Sequence, residues 1–231
     1  LAVRESHRAR GVTLAAEAVA STEPPHAAIS LDFLAGRGLP ARTLAEAAAE
    51  FGIKLPQSLP QGSTWPLRNP AKFREILAEV PLCAAEDLTR CRARIAERQP
   101  AWAATPLALR REALASWLEA IVAGRRELVD SIVLDVGKPI TQAEAEFDYA
   151  MALARHTLAS MDSDRERHEG FSLRYAPLGS VGIITPWNNP LAIPLGKLAP
   201  CLAWGNAAIW KPALPGSRVA AMLKRFADAA L

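Results

Sequence analysis

Between residues 180 and 231 the sequence alternates between short β-branched or apolar runs and helical patterns. Ser180 to Thr185 reads as a buried strand, Pro190 to Ala203 as a helix, and Ala207 to Lys211 as a second strand. Ser217 is placed to cap a last helix that runs to the end of the sequence. A strand, a helix and a strand in this order imply parallel strands joined by a crossover helix. The expected fold class is therefore α/β, with a doubly wound, Rossmann-like parallel sheet. Only two parallel strands are spelled out. A stable sheet of this kind needs more, so the sheet is expected to be incomplete.

The sequence leading into this sheet is helical. Asp87 is placed to cap a helix whose inner face includes Leu88, Cys91 and Ile95. Thr105-Pro106 pairs a capping residue with a proline suited to a first helical turn. Leu107, Leu114, Trp117, Leu118, Ile121 and Val122 then recur at helical spacing. A further helix is expected from about Arg126 to Val136, closed by Gly137 and barred from continuing by Pro139. Thr141 and Glu144 have the spacing of a capping box that opens a helix to about Ala159. Phe171 to Ala176 reads as a strand, and the charged segment Arg165 to His168 as a solvated turn. Residues 1–64 differ, with alanine-rich pieces cut by Pro24-Pro25, Gly36, Gly38, Pro40, Pro56 and Pro60. One short helix is expected there, opened by Thr43 and Glu46 and ended by Gly52, followed by a linker from Leu55 to Gly62. Two regions follow: an extension or linker over 1–64, and a domain over 65–231.

Composition excludes several function classes. Half of the 231 residues are apolar, too many for a disordered chain. The richest apolar region, Leu191 to Trp210, is broken by Pro194, Lys197, Pro200 and Asn206, so no membrane span is expected. No apolar run follows Arg4, Arg8 and Arg10, which argues against a secretory leader and makes the cytoplasm the default compartment. The 27 basic and 24 acidic residues are interleaved, a poor fit to nucleic-acid binding. Cys83, Cys91 and Cys201, with His7, His26, His156 and His168, have no metal-ligand spacing, so no metal site is expected.

In an open α/β sheet, ligands bind beyond the carboxyl ends of the strands. Two such ends occur here. One is Thr185-Pro186-Trp187-Asn188-Asn189-Pro190, whose Pro-Trp-Asn brings a rigid turn, a large flat ring and an amide to the mouth of a cleft. The other is Lys211-Pro212-Ala213-Leu214, which brings a cation to the neighbouring mouth. Taken singly, Trp187 could be core and Lys211 an ordinary strand end. Their occurrence at adjacent strand ends favours a binding cleft.

These segments carry a resemblance. Gly182 to Pro190, then Lys197-Leu198-Ala199-Pro200, Leu202 to Asn206 and Trp210-Lys211-Pro212-Ala213, resemble the aldehyde dehydrogenase superfamily in order and spacing. Weaker likeness extends upstream through Asn69-Pro70-Ala71, Ala78 to Pro81, Pro100-Ala101-Trp102, Thr105-Pro106 and Gly137-Lys138-Pro139. The resemblance implies an enzyme that oxidises an aldehyde to a carboxylate through a cysteine thioester, with NAD or NADP as cofactor. It implies that the Asn188 amide stabilises an oxyanion, and that Lys197 is a proton-relay or orienting group. An alternative for Lys197 is a side chain that satisfies backbone carbonyls. Ile184, Thr185, Pro186, Trp187 and Asn188 would line the nicotinamide side. Lys211, with Ala213 and Leu214, would lie on the adenosine side, Lys211 bonding the ribose.

Two departures bear on this expectation. Three residues after the strand-end lysine the family commonly has Glu, whereas this sequence has Leu214. Leucine cannot accept hydrogen bonds from ribose hydroxyls, and it does not repel a 2′-phosphate. The grip on the adenosine is therefore expected to weaken, and NADP to be tolerated in addition to NAD. The family's nucleophilic cysteine and water-activating glutamate lie downstream of the matched region, and none of the three cysteines here can replace the nucleophile. The expected reading is part of a longer, homo-oligomeric dehydrogenase acting on a small-molecule aldehyde, with this chain alone inactive. Other readings are a catalytically dead binding module, or part of a fused enzyme such as a proline-catabolic semialdehyde dehydrogenase.

Overall fold

Tryptophan indoles tie the helical block to the α/β part of the chain. The computed structural model describes residues 62–162 and 165–231, together with Glu46 and Ala49. Elements run in the order β1 (Thr64–Asn69), β2 (Lys72–Pro81), α1 (Ala85–Ala104), α2 (Leu107–Ala123), α3 (Arg125–Val136) and α4 (Ile140–Ala159). They continue with β3 (Arg165–His168), β4 (Phe171–Arg174), β5 (Ser180–Ile184), α5 (Ala192–Ala203), β6 (Ala207–Lys211) and α6 (Ser217–Ala230). Inside the core, Trp102 donates its indole N–H to the Leu202 carbonyl at 2.9 Å and Trp117 donates to the Leu223 carbonyl at 3.2 Å. These two bonds join α1 to α5 and α2 to α6. They let a large apolar ring be buried without an orphaned donor.

The chain divides into two compact units. One takes in Thr64–Val80 and Cys91–Leu231. In the other, the described residues are Glu46, Ala49, Gly62, Ser63 and Pro81–Arg90. In that second unit the Leu82 N–H donates to the Ser63 carbonyl at 2.9 Å. Asp87 accepts the Ala84 N–H at 2.8 Å and pairs with Arg90. The predicted helix from Thr43 lies outside the described residues except for Glu46 and Ala49, both helical.

In the larger unit, the apolar periodicity of α2 is realised. Leu114, Trp117, Leu118 and Ile121 are buried, against Leu128 and Ile132 of α3, Phe147 and Met151 of α4, and Leu195, Leu198 and Leu202 of α5. β5 and β6 pair in parallel, with Ser180 opposite Ala207 and Ile184 opposite Lys211. The α/β class, the helical block and the short parallel sheet all match expectation. No helix among the described residues is long and apolar enough to cross a membrane.

Several local expectations are corrected. Arg165 to His168 is a strand paired antiparallel with Phe171–Arg174, not a solvated turn, because backbone pairing overrides its polar side chains. The hairpin β1–β2 was not anticipated: Pro66 and the many charges of β2 hide its alternation, and only Leu67 and Asn69 of β1 are buried. Asn69 holds the turn, its side-chain oxygen accepting the Ala71 N–H at 2.9 Å. Asp87 sits inside the first turn of α1 and reaches back to Ala84, rather than preceding the helix. Leu88 is exposed, so of the three residues assigned to that helix face only Ile95 is fully buried. Thr105 donates to the Ala101 carbonyl, Thr141 lies within α4, and Ser217 donates to the Leu214 carbonyl, so none caps a helix N-terminus. Gly137 does close α3 as expected, at φ 72°.

One glycine fixes the spacing of the two strand-end loops. Gly216 has φ 87°, and a Cβ built there would lie 2.6 Å from Pro190 Cβ. Gly216→Ala combines a left-handed backbone with an overpacked contact and is expected to lower stability by about 2–4 kcal/mol. Urea unfolding of the two proteins side by side measures it. A loss under about 0.5 kcal/mol, the range of an ordinary surface change, would mean the loops separate freely.

Candidate active-site cleft

The register of β5 and β6 brings both predicted strand ends level. Ile184 is opposite Lys211, and one residue on, the Thr185 N–H donates to the Lys211 carbonyl at 3.3 Å. Thr185 is buried, and its hydroxyl accepts the Trp210 indole N–H at 3.0 Å. The Thr185–Pro190 turn therefore begins on a fixed point. It also ends on one, because Pro190 is buried and packs against Gly216.

Between those points the turn faces outward. Pro186, Trp187 and Asn188 are exposed, Trp187 at 55% and the preceding Ile184 at 81%. Trp187 is thus not a core residue. The Asn188 amide makes no hydrogen bond among the described residues and is open to a ligand. Lys211 is exposed at its strand end, with Ala213 and Leu214 half-buried in the loop that follows. Lys197 lies exposed in α5 and bonds no backbone carbonyl among the described residues. The structure gathers Ile184 to Asn188 and Lys211 to Leu214 at one edge. No hydrogen bond joins Lys197 to that turn among the described residues.

The N-termini of both crossover helices are occupied by buried carboxylates from the helical block. Glu146 of α4 accepts the Leu191 N–H at 2.9 Å and the Ala192 N–H at 3.1 Å, the opening of α5. Its other oxygen pairs with Lys138, which also donates to the Asn189 side-chain oxygen at 2.8 Å. Asp135 of α3 accepts the Arg218 N–H at 3.0 Å in the first turn of α6, with the Arg218 guanidinium 3.5 Å from its second oxygen. A carboxylate at a helix N-terminus meets both the unpaired N–H groups and the positive end of the helix dipole. These helix ends are consequently closed to a second anion.

Sequence reasoning missed Lys138, Glu146, Asn189, Asp135 and Arg218. The signal was present. Glu146 falls in the apolar stripe Ala143, Phe147, Ala150, Met151 and Ala154 of α4, and Asp135 extends the stripe Leu128, Ser131, Ile132 of α3. A charge at an inward position must find a partner, and that requirement marks it.

Two of the cysteines, Cys83 and Cys201, are unsuited to nucleophilic attack near neutrality. Burial pushes the Cys201 thiol up to about 11, which keeps it protonated near neutrality. Burial, and then the Asp87 charge, push the Cys83 thiol up as well.

The fold is that of an α/β protein with two parallel strands ending side by side at an open edge. Residues 59–231 match the aldehyde dehydrogenase family, and the chain belongs to that family. It is similar to the alpha-ketoglutaric semialdehyde dehydrogenase of Bacillus subtilis, with 31% identity over 64% of this chain and 32% of the relative. The aldehyde dehydrogenase C of Pseudomonas syringae, solved as a variant with NAD+ and octanal, superposes with a TM-score of 0.68 at 27% identity, over 76% of this chain and 36% of that one. An NADP-dependent enzyme of E. coli gives 0.67 at 28% identity, over 73% and 36%. The chain thus spans about a third of the length of the relatives it matches.

Asp135 offers a pH test of the cap on α6. Burial lifts its carboxyl from 3.8 to about 6, against the opposing pull of the Arg218 charge and the Arg218 and Val219 N–H groups. One oxygen is buried without a hydrogen bond, which is where a proton would reside. A raised folded-state value means the stabilising contribution is complete below about pH 4 and is lost as pH rises through about 6. Relative to Asp135→Asn, the unsubstituted protein should lose about 2–3 kcal/mol between about pH 4 and about pH 7, read from urea unfolding at each pH. Parallel curves would show that the carboxyl is ionised throughout.

Proposed function

We propose that the complete protein is an NAD(P)-dependent aldehyde dehydrogenase, and that this chain supplies one wall of its active site. The observation that carries the reading is the level pairing of Ile184 with Lys211 in a chain of this family, which sets an amide-bearing turn beside a cationic strand end. Asn188 is the oxyanion donor: a neutral amide with no competing bond can point at developing negative charge without reorganising. Lys197 is assigned an orienting or proton-relay role.

The donor set suits two parts of a dinucleotide. Lys211 can bond ribose hydroxyls, and Ile184 and Trp187 offer an apolar wall to a nicotinamide ring. A nicotinamide bound there would accept the hydride. The pyrophosphate has no place on α5 or α6, whose N-termini hold Glu146 and Asp135. Leu214 gives no carboxylate on the ribose side, so NADP and NAD are both accepted. The nucleophile comes from outside the described residues, consistent with the raised Cys201 thiol.

In the full-length enzyme, Asn188→Ala is expected to reduce kcat about a hundred- to a thousandfold while cofactor binding holds. Single-turnover measurement of NAD(P)H formation checks it, and an unchanged kcat would remove Asn188 from the oxyanion role. Cofactor titration followed by tryptophan fluorescence checks the Leu214 reading. Affinities for NAD and NADP should lie within about tenfold, and Leu214→Glu should disfavour NADP by about tenfold or more. A preference for NAD beyond about a hundredfold in the unsubstituted enzyme would overturn it.

A further inference from the structure

The Thr185–Pro190 turn is held at both ends, yet its exposed middle has one side-chain attachment among the described residues. That attachment is Asn189. Its side-chain oxygen accepts from Lys138 Nζ at 2.8 Å, and its backbone carbonyl accepts the Ile193 N–H at 3.3 Å. Lys138 has only donors, so the amide oxygen of Asn189 must face it and the orientation of that side chain is fixed. Lys138 is in turn held by Glu146, with side-chain exposures of 14% and 3%. Glu146 itself is locked by the Leu191 and Ala192 N–H groups.

We propose that Asn189 is a positioning residue for the Asn188 amide, holding it through the buried Lys138–Glu146 pair. The inference rests on the dehydrogenase reading given above. Asn188 and Asn189 share a peptide plane, so fixing Asn189 from both its side chain and its carbonyl restricts the backbone that aims Asn188. An oxyanion donor acts only within a narrow geometry, and a displacement of about 1 Å can cost about a hundredfold in rate. Lys138 and Glu146 act at a distance and touch no reacting atom. Their part is to make Asn189 a rigid neighbour.

Asn189→Ala in the full-length enzyme cuts this link while leaving the buried Lys138–Glu146 pair intact, so folding is preserved. Its kcat should fall about ten- to a hundredfold, with the aldehyde KM and cofactor affinity unchanged within about twofold. Lys138→Met breaks the same link from the other end and should give the same split, with Lys138→Arg recovering most of the rate. The deciding comparison is a double-mutant cycle. In the Asn188→Ala background, Asn189→Ala should cost less than about twofold, because the residue it positions is gone. A loss that carries over undiminished into that background overturns the proposal. So does an Asn189→Ala kcat within about threefold of the unsubstituted enzyme when Asn188→Ala is slow. An inactive unsubstituted enzyme overturns the dehydrogenase reading and this one with it, whereas an active enzyme with independent losses overturns only the role of Asn189.

Discussion

The buried carboxylate of Glu146 is the contact on which the architecture around the cleft turns. It is 5% exposed, and burial of an unpaired charge costs several kcal/mol. Three contacts offset that cost: the ammonium of Lys138 and the first two N–H groups presented at α5. Each is charge-assisted, and the helix dipole adds to them. The geometry is demanding because both oxygens are committed. α4, α5 and the turn before α5 are therefore fixed relative to one another by one side chain, in addition to apolar packing that by itself would tolerate sliding.

Asp135 repeats the device one helix away. Each crossover helix starts on a carboxylate contributed by the helical block: Glu146 of α4 for α5, and Asp135 of α3 for α6. The two are not equivalent. Glu146 has an ammonium in direct contact, whereas the second oxygen of Asp135 is buried without a hydrogen bond and its carboxyl is pushed up to about 6. The helical block thus does more than cover the sheet. It sets where each strand-end loop begins its following helix, and it closes both helix ends to the anion binding such positions otherwise favour.

How much was legible in the sequence follows from what each signal measures. β5 and β6 were readable as short apolar runs, and α5 and α6 as the helical patterns that follow them, although within β5 only Ile183 is buried rather than the whole run. β3 was not, since Arg165–His168 is polar throughout and its pairing is a backbone property. The helix starts near Thr105, Thr141 and Ser217 were legible to within two residues, but the caps were not: the Thr105 and Ser217 hydroxyls bond the carbonyl of the preceding turn instead, and Thr141 lies inside its helix. That the two strand ends lie side by side was legible. Their supports were not, because Lys138, Glu146 and Asn189 are separated in sequence and meet only through tertiary packing, Lys138 and Asn189 being 51 residues apart.

The distribution of rigidity in the turn is itself informative. Thr185 and Pro190 are buried, while Pro186, Trp187 and Asn188 between them are exposed, and Asn188 keeps an uncommitted amide. A turn serving only to connect β5 to α5 would gain by directing polar side chains to its own backbone and apolar rings inward. This one holds the Trp187 indole outward, next to the outward Ile184 at the end of β5, at a cost of about 25 cal/mol for each Å² of apolar surface left in water. In the proposed dehydrogenase, firm anchors, an outward ring and an uncommitted amide would suit preorganised recognition: the surface would be held ready, and the free energy of covering it released when a ligand arrives.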